Sequence, residues 1–317
     1  MRKKALQFLR PVVGQLPLPW LMRAAACQVV LPFYHIVSNQ ECQHIRHLYR
    51  FKSVAEFSRD LDLLSKHFTF INLHQLHEVV ERGVATSKRP KPLLHLSFDD
   101  GLKEMVTVVA PILKARGLPA SFFINSAFVG NQQLMFRYKA SLLCEAFPEK
   151  KSLFLQTRSA ESLEAIPEAS SYDFSTFLKE QQPYMDWSDI HQLQQWGFTI
   201  GSHSATHPYF SFLQDEQQVE EAVQPFSELE AHGISGPKYF AFPFTDDGVS
   251  AAVINRLLED EGLTLSFGGA GCKRDVHPRQ LQRLPLEETH YDAITAIKAE
   301  LAYAALRGFV GRNTINR

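Results

Sequence analysis

What this 317-residue chain lacks narrows its chemistry first. It has only four cysteines, Cys27, Cys42, Cys144 and Cys272. They lie far apart and form no C-x-x-C pair, so neither a disulfide-dense scaffold nor a cysteine-built zinc site is expected. Scattered thiols fit a reducing compartment, and the expected location is the cytoplasm. Charge of one sign is also missing. The 33 Lys and Arg balance 34 Asp and Glu to a net charge of -1, which removes the basic excess that nucleic-acid binding needs. Long apolar runs are absent as well. No window reaches the roughly 18–20 residues of a spanning helix. Behind Met1-Arg2-Lys3-Lys4, the residues Pro11, Gly14, Gln15, Pro17 and Pro19 break up the run of about 7–15 apolar residues that a secretory signal requires. This holds although Ala24-Ala25-Ala26-Cys27 has the small residues of a cleavage site. Neither an internal repeat nor a low-complexity tract is present.

What is there is a rhythm. Residues 1–28 read as a basic, partly amphipathic lead-in with Trp20 and Leu21 on its apolar side. It is expected to cover the fold, with peripheral contact to an anionic membrane as the other use of such a segment. From there to residue 306, short apolar runs alternate with helical spacing. Strands are expected at 29–34, 68–71, 93–98, 121–124, 198–200, 239–242, 263–267 and 281–286. Ser53 and Glu56 form a capping-box signature ahead of Phe57, Leu61 and Leu64. Leu76 to Arg82 reads as a helix stopped by Gly83, and 88–92 as a Pro-bearing loop. Gly117 ends the helix carrying Val106, Val109, Ile112 and Leu113. About seven strand–helix units imply parallel pairing and an incomplete or distorted (β/α) barrel. Residues from about 129 to 184 break the rhythm and read as an insertion over one face, and 307–317 form a basic tail.

Two polar constellations stand at strand ends, where barrel enzymes build their sites. The first is Ser97-Phe98-Asp99-Asp100-Gly101, the second Gly201-Ser202-His203-Ser204-Ala205-Thr206-His207-Pro208. Two imidazoles four residues apart and one carboxylate suit zinc or another borderline divalent ion, with positions left for water and substrate. The His-x-x-x-His spacing alone also fits a pair of surface histidines. An Asp that caps a helix explains one of the adjacent acids and not both. One acid can ligate while its neighbour faces the bound water, and Gly101 allows the sharp turn.

These motifs resemble those of the polysaccharide deacetylases, the NodB-homology group of carbohydrate esterases. Ser97 to Gly101 matches the family's Thr/Ser-Phe-Asp-Asp-Gly, and His203 to His207 its His-Ser/Thr-x-x-His. Phe240-Ala241-Phe242-Pro243-Phe244 is similar to its third motif, Arg-x-Pro-Tyr/Phe. The likeness runs from Phe33-Tyr34-His35 to Arg283-Leu284-Pro285-Leu286. It implies that Asp100, His203 and His207 hold a divalent metal, zinc before cobalt, nickel or manganese. It implies Asp99 as general base and an N- or O-acetylated sugar of a polysaccharide or glycan precursor as substrate. A backbone N–H near Phe244 would help the metal to stabilise the oxyanion. Pro243, Phe244, Trp187 and His35 are the expected substrate contacts.

Two parts of the family pattern are missing. Ala241 stands where the base-orienting Arg belongs. No Leu-x-His supplies the general acid; Glu287, Glu288 and His290 follow the last strand, and His290 is the candidate. Two other readings therefore stand beside deacetylation. One is a deformylase or other C–N hydrolase of a lipid-linked or nucleotide sugar, the other a carbohydrate-binding relic with weakened turnover.

Overall fold

Six parallel strands follow one another around a ring in this computed structural model, which describes residues 2–82, 91–287 and 290–317. They are β1 (Pro32–Tyr34), β2 (Leu96–Phe98), β3 (Ala120–Ile124), β4 (Thr199–Ser202), β5 (Lys238–Ala241) and β6 (Leu263–Gly268), each hydrogen-bonded to the next. The seventh stave is split. β7 (Gln280–Gln282) pairs with β6, and β8 (Leu284–Pro285) pairs with β1 on the opposite edge. Between them the Arg283 N–H donates to Gly268 O at 3.0 Å, and the Leu284 N–H to Leu31 O at 3.0 Å. One six-residue segment thus touches both edges of an eight-stranded sheet and nearly closes the barrel. Gly83, positions 88–90 of the expected loop and Glu288 lie outside the described residues.

Side chains alternate across each stave. Phe123, Tyr239, Ala241, Leu265 and Phe267 point inward and pack with Leu31 and Leu93; Leu73, Leu76 and Val79 of the helix Leu73–Arg82 join the same cluster. Tyr34, Phe98, Phe122, Ile124, Ile200 and Phe240 point outward, into the layer between barrel and helices. Burying each such side chain fully contributes about 1.5–3 kcal/mol, so the alternation fixes which residues line the barrel mouth.

The runs read as continuous strands at 29–34 and 93–98 are each broken once. Their first halves, Val29–Val30 and Leu93–Leu94, form a separate three-stranded sheet with Thr69–Phe70. His95 marks one break: its backbone N–H donates to Val30 O at 3.1 Å, and its ring Nδ1 meets Ile71 O at 2.8 Å. The Ser53 capping box forms as read, with the Glu56 N–H donating to Ser53 Oγ at 3.2 Å and the Ser53 N–H to Glu56 Oε2 at 2.9 Å.

Residues 129–184 are mostly helical. Phe136–Ala146, Lys151–Gln156, Ala160–Glu164, Pro167–Ser171 and Phe174–Gln181 surround a small core of Phe136, Ala140, Leu143, Phe154 and Leu163. The lead-in forms two helices, Arg2–Leu9 and Leu18–Ala24, packed against the helix Ala293–Phe309. Leu21 is buried there, but Trp20 faces outward and is 52% exposed. The basic tail is pinned: Thr314–Ile315 pairs with Arg274–Asp275, and the Arg317 guanidinium binds Asp246 and Asp275.

Candidate active site

Inward alternation along β2 and its extension places Ser97 and Asp99 on the barrel side, and along β4 it places Gly201 and His203 there. The ladders continue one residue past the strands: the Asp99 N–H donates to Tyr34 O at 3.0 Å, and the His203 N–H to Ile124 O at 2.8 Å. Asp100 would point outward if the strand went on. Instead Asp100 and Gly101 both take left-handed backbone, with φ of 73° and 66°, and the chain folds back over the strand ends. Asp tolerates that region better than most residues.

The histidine motif is a loop, not a helical turn. Ser204 and His207 also have positive φ, 69° and 58°. The loop is held by the His207 N–H donating to Ser204 Oγ at 2.9 Å. Asn125 Nδ2 donates to the His203 and Ser204 carbonyls, and the Thr206 N–H to Glu221 Oε2 at 2.9 Å. Strained non-glycine backbone at Asp100, Ser204, His207 and Phe244 surrounds one point, the pattern expected where geometry serves chemistry.

At that point Asp100 Oδ1 lies 3.4 Å from His203 Nε2 and 3.2 Å from His207 Nε2. All three residues are buried, and their donor atoms lie within 4.8 Å of one another. His203 Nδ1 faces the Ala241 carbonyl at 2.8 Å, so Nδ1 carries the proton and Nε2 turns a lone pair toward the carboxylate. Asp100 Oδ1 has no hydrogen-bond partner. Two acceptors facing each other without a proton between them call for a cation, and an N₂O donor set fits a borderline divalent ion. Burial opposes charge on Asp100, yet the attraction of His207, when that ring is protonated, and of His35 holds its carboxyl well below the usual range. Burial lowers the His207 pKa, which favours the neutral, ligating imidazole. The other oxygen of Asp100 accepts from Tyr138 Oη at 2.7 Å, a contact supplied by the insertion.

Asp99 is gripped from below. Arg283 Nη1 donates to its Oδ1 and Nη2 to its Oδ2, both at 2.8 Å, and Nη1 also reaches Ser97 Oγ at 3.0 Å. The guanidinium lies over the rings of Phe33, Phe123 and Phe267, 4.5, 5.2 and 5.8 Å from their centroids. Burial would raise the Asp99 pKa; the Arg283 charge overrides it and lowers the value. The cation missing at Ala241 is therefore delivered from the seventh stave, which corrects the expectation that the base has no orienting Arg. Its signal was legible in the period of two: Leu281 and Arg283 share the inward face, and a cation there needs a buried acid. Asp246 buttresses this stave, accepting from Gln280 Nε2 at 2.9 Å and from Gln282 Nε2 at 2.6 Å.

The cleft above these groups has a volume of about 360 Å³ and is lined by His35, Tyr49, Met135, Arg137, Tyr209 and Phe244, among others. Tyr209 also lines a groove of about 900 Å³ that continues along Phe136, Arg158 and Phe212. Phe244 lies flat on Tyr209, with ring centroids 3.8 Å apart, and edge-on to His207 at 4.5 Å.

The sequence-derived contacts divide. His35 lines the cleft, and the backbone and ring of His35 both bind Glu287: the N–H donates to Oε2 at 2.6 Å and Nδ1 pairs with Oε1. Burial works against protonation, but Glu287, with Asp100 behind it, raises the His35 pKa to about 10. Pro243 is buried behind the cleft wall, where Phe242 and Phe244 form the lining. Trp187 is not part of the cleft. It begins the helix Trp187–Gln195 outside the barrel and stacks on His232 with ring centroids 3.7 Å apart. His290 is exposed and is not among the residues lining the cleft.

Comparison with known proteins identifies the family and the fold. Residues 86–264 match the polysaccharide deacetylase family. The chain belongs to that family. Among solved structures, IcaB from Ammonifex degensii is 18% identical, with a TM-score of 0.59 over 86% of this chain and 97% of that one. The deacetylase PplD of Streptococcus pyogenes, in complex with acetate, is 11% identical with a TM-score of 0.57 over 82% and 93%. A de-N-acetylase from Aggregatibacter actinomycetemcomitans is 17% identical with a TM-score of 0.56 over 85% and 99%. At these identities the likeness is one of fold. No curated protein matches the sequence. The family match ends before Arg283 and Glu287 and begins after His35, so the groups completing the site lie outside it.

Proposed function

We propose that this protein is a divalent-metal-dependent deacetylase that removes an N- or O-linked acetyl group from a saccharide unit of a polysaccharide or glycan precursor. The observation that carries the reading is the Arg283–Asp99 pair beside Asp100, His203 and His207: an oriented, ionised carboxylate next to a three-donor cation site. Asp100, His203 and His207 would hold a divalent ion, with zinc the best match to the donors, which would supply a lowered water pKa and polarisation of the acyl carbonyl. Asp99 is kept ionised by Arg283 and takes the proton of the attacking water on Oδ2, the oxygen 3.9 Å from His203 Nε2. His35 is protonated, with Nδ1 committed to Glu287, so its Nε2–H is the proton available to the departing amine or alkoxide. Phe244 and Tyr209 offer apolar faces for a sugar ring.

This arrangement removes the motive for the binding-only reading, which rested on Ala241 and the missing acid. The groove running on from Tyr209 favours a substrate longer than one sugar. The test is acetate release from acetylated oligosaccharides and from sugar acetate esters. Protein stripped with a chelator is compared with protein reloaded with zinc, cobalt, nickel or manganese. Activity restored by metal, and lost in Asp99→Asn with metal still bound, is expected. Release that is indifferent to the chelator, or a metal-loaded protein that frees no acyl group, overturns the reading.

A further inference from the structure

The helical layer built from the two ends of the sequence carries both basic charge and exposed apolar surface. All 34 Asp and Glu residues lie between positions 41 and 300. Eight of the 33 Lys and Arg lie outside that range: Arg2, Lys3, Lys4, Arg10, Arg23, Arg307, Arg312 and Arg317. Glu300 is the one acid in the last turns of the helix Ala293–Phe309; it is buried and held by Arg2 at 2.6 Å. Lys4, Arg23 and Arg312 are exposed.

The same layer exposes large apolar side chains. The lead-in buries Leu6, Val13, Leu18, Leu21 and Met22 against the fold, which accounts for one of its faces. Phe8, Val12 and Trp20 remain outside, at 80%, 64% and 52% exposure. Leu306, Phe309 and Val310, at the end of the helix against which the lead-in packs, are 60%, 92% and 61% exposed. Six of the eleven large apolar residues exposed among the described residues thus belong to this one layer.

We propose that this layer is a docking surface for an anionic lipid bilayer. Aromatic and aliphatic side chains interleaved with the exposed Lys4, Arg23 and Arg312, with Glu300 buried against Arg2, match a headgroup region with negative surface charge above an acyl boundary. The charge also argues against a second copy of the same face, since self-pairing would set cations against cations. Among the described residues no helix is long and apolar enough to cross a membrane, so the contact is peripheral. Arg2, at the head of the layer, also lines the catalytic cleft, so docking would hold the cleft beside the membrane surface.

The test is flotation of the full chain with vesicles of phosphatidylcholine alone and of phosphatidylcholine with about 30% phosphatidylglycerol, at low and high salt. Binding at least about tenfold stronger to the anionic vesicles, and weakened by salt, is expected. Trp20→Ser with Phe309→Ser, and separately Arg23→Glu with Arg312→Glu, should each cut that binding severalfold while the melting temperature stays within a few degrees, because these side chains are exposed. Trp20 emission should shift to the blue on vesicle addition, read as the difference between the wild type and Trp20→Phe. Equal partition into both vesicle types, or unchanged binding in both double variants, overturns the proposal. So does concentration-dependent dimerisation without lipid that the same variants abolish.

Discussion

Arg283 holds both oxygens of Asp99 at 2.8 Å from a stave nearly two hundred residues later in the chain. The residue that closes the barrel is the residue that orients the proposed base, Asp99. β7 and β8 pair with opposite edges of the sheet, and Arg283 is the single residue between them. Its position is therefore fixed by the closure itself rather than by a local loop, and three aromatic faces restrict the guanidinium further. Barrel integrity and the ionisation of Asp99 share one side chain.

Replacing Arg283 by Met should expose that sharing. Removing one member of a buried pair costs about 3–5 kcal/mol of stability, because the other charge is left uncompensated. Asp99 then keeps its burial but loses the charge that overrides it, so its pKa rises. The acid limb of the pH–rate profile should move to higher pH, and the rate at neutrality should fall by about 10²–10⁴. The measurement is the pH dependence of acetate release, beside urea unfolding. An unmoved acid limb would mean that Asp99 is not the base.

The fold was readable because period-two alternation and helical spacing are both strong in this chain. The strands at 121–124, 239–242 and 263–267 stand where the pattern puts them. The breaks at Leu31 and His95 were not readable, because both halves of each run are apolar and only the partner strand differs. Asp99, Asp100, His203 and His207 were legible as local motifs. Tyr138 and Glu287 were not, since each reaches the site from a distant element and neither sits in a distinctive local pattern; Arg283 showed only as a cation on the inward face of the last stave. Trp187 misled for the same reason in reverse. An aromatic side chain offers a wall for a sugar face, but here Asp186 is a helix N-cap and Trp187 packs outside the barrel.

His35 and Glu287 give a second pH prediction. Glu287 lifts the His35 pKa from 6.5 to about 10 against the pull of burial. Glu287→Gln removes that attraction, so burial should win and the basic limb of the rate profile should fall from near 10 to neutral pH or below. His35→Gln should lower turnover on an acetylated amine by about 10²–10³, with little effect on aryl acetates, whose leaving group needs no proton. Stability carries the matching sign. His35 contributes stability that is full below about pH 6.5, as long as Glu287 stays ionised, and that is lost as pH rises through about 10; burial raises the Glu287 pKa, so its protonation ends the pair at the acid end. Equal losses on both substrate classes would assign His35 to binding.

Tyr138 tests whether the insertion serves the cation site. Its hydroxyl donates to Asp100 Oδ2 at 2.7 Å and leaves Oδ1 for the ion. Tyr138→Phe removes only that oxygen. Metal affinity should drop by about 10–100-fold, as for other hydrogen bonds that orient a ligating carboxylate, with the melting temperature of metal-free protein nearly unchanged. Competition against a chromogenic chelator reads the affinity directly, and an unchanged value would reduce Tyr138 to packing.

Gly201 gives the last prediction, and it separates space from backbone freedom. Its φ is not in the left-handed region, so the strand itself would accept any residue. A Cβ added there would lie 2.6 Å from the Phe123 ring and 2.8 Å from Tyr239 O, closer than real contacts allow. Gly201 faces inward, two residues before His203, so β4 can relieve the clash only by moving away from β3 and β5. Gly201→Ala should therefore cost about 1–3 kcal/mol in urea unfolding, the usual penalty of overpacking. It should also weaken metal binding, because the same displacement carries His203 Nε2 away from Asp100 Oδ1. Gly117→Ala is the control: nothing lies within 4 Å of its Cβ and it sits just before the start of β3, whereas the proposed metal ligands follow the C-terminal ends of their strands, so it should cost stability through its φ of 63° alone and leave metal affinity intact. If both variants lose stability and neither loses metal affinity, the barrel interior does not set the ligand geometry.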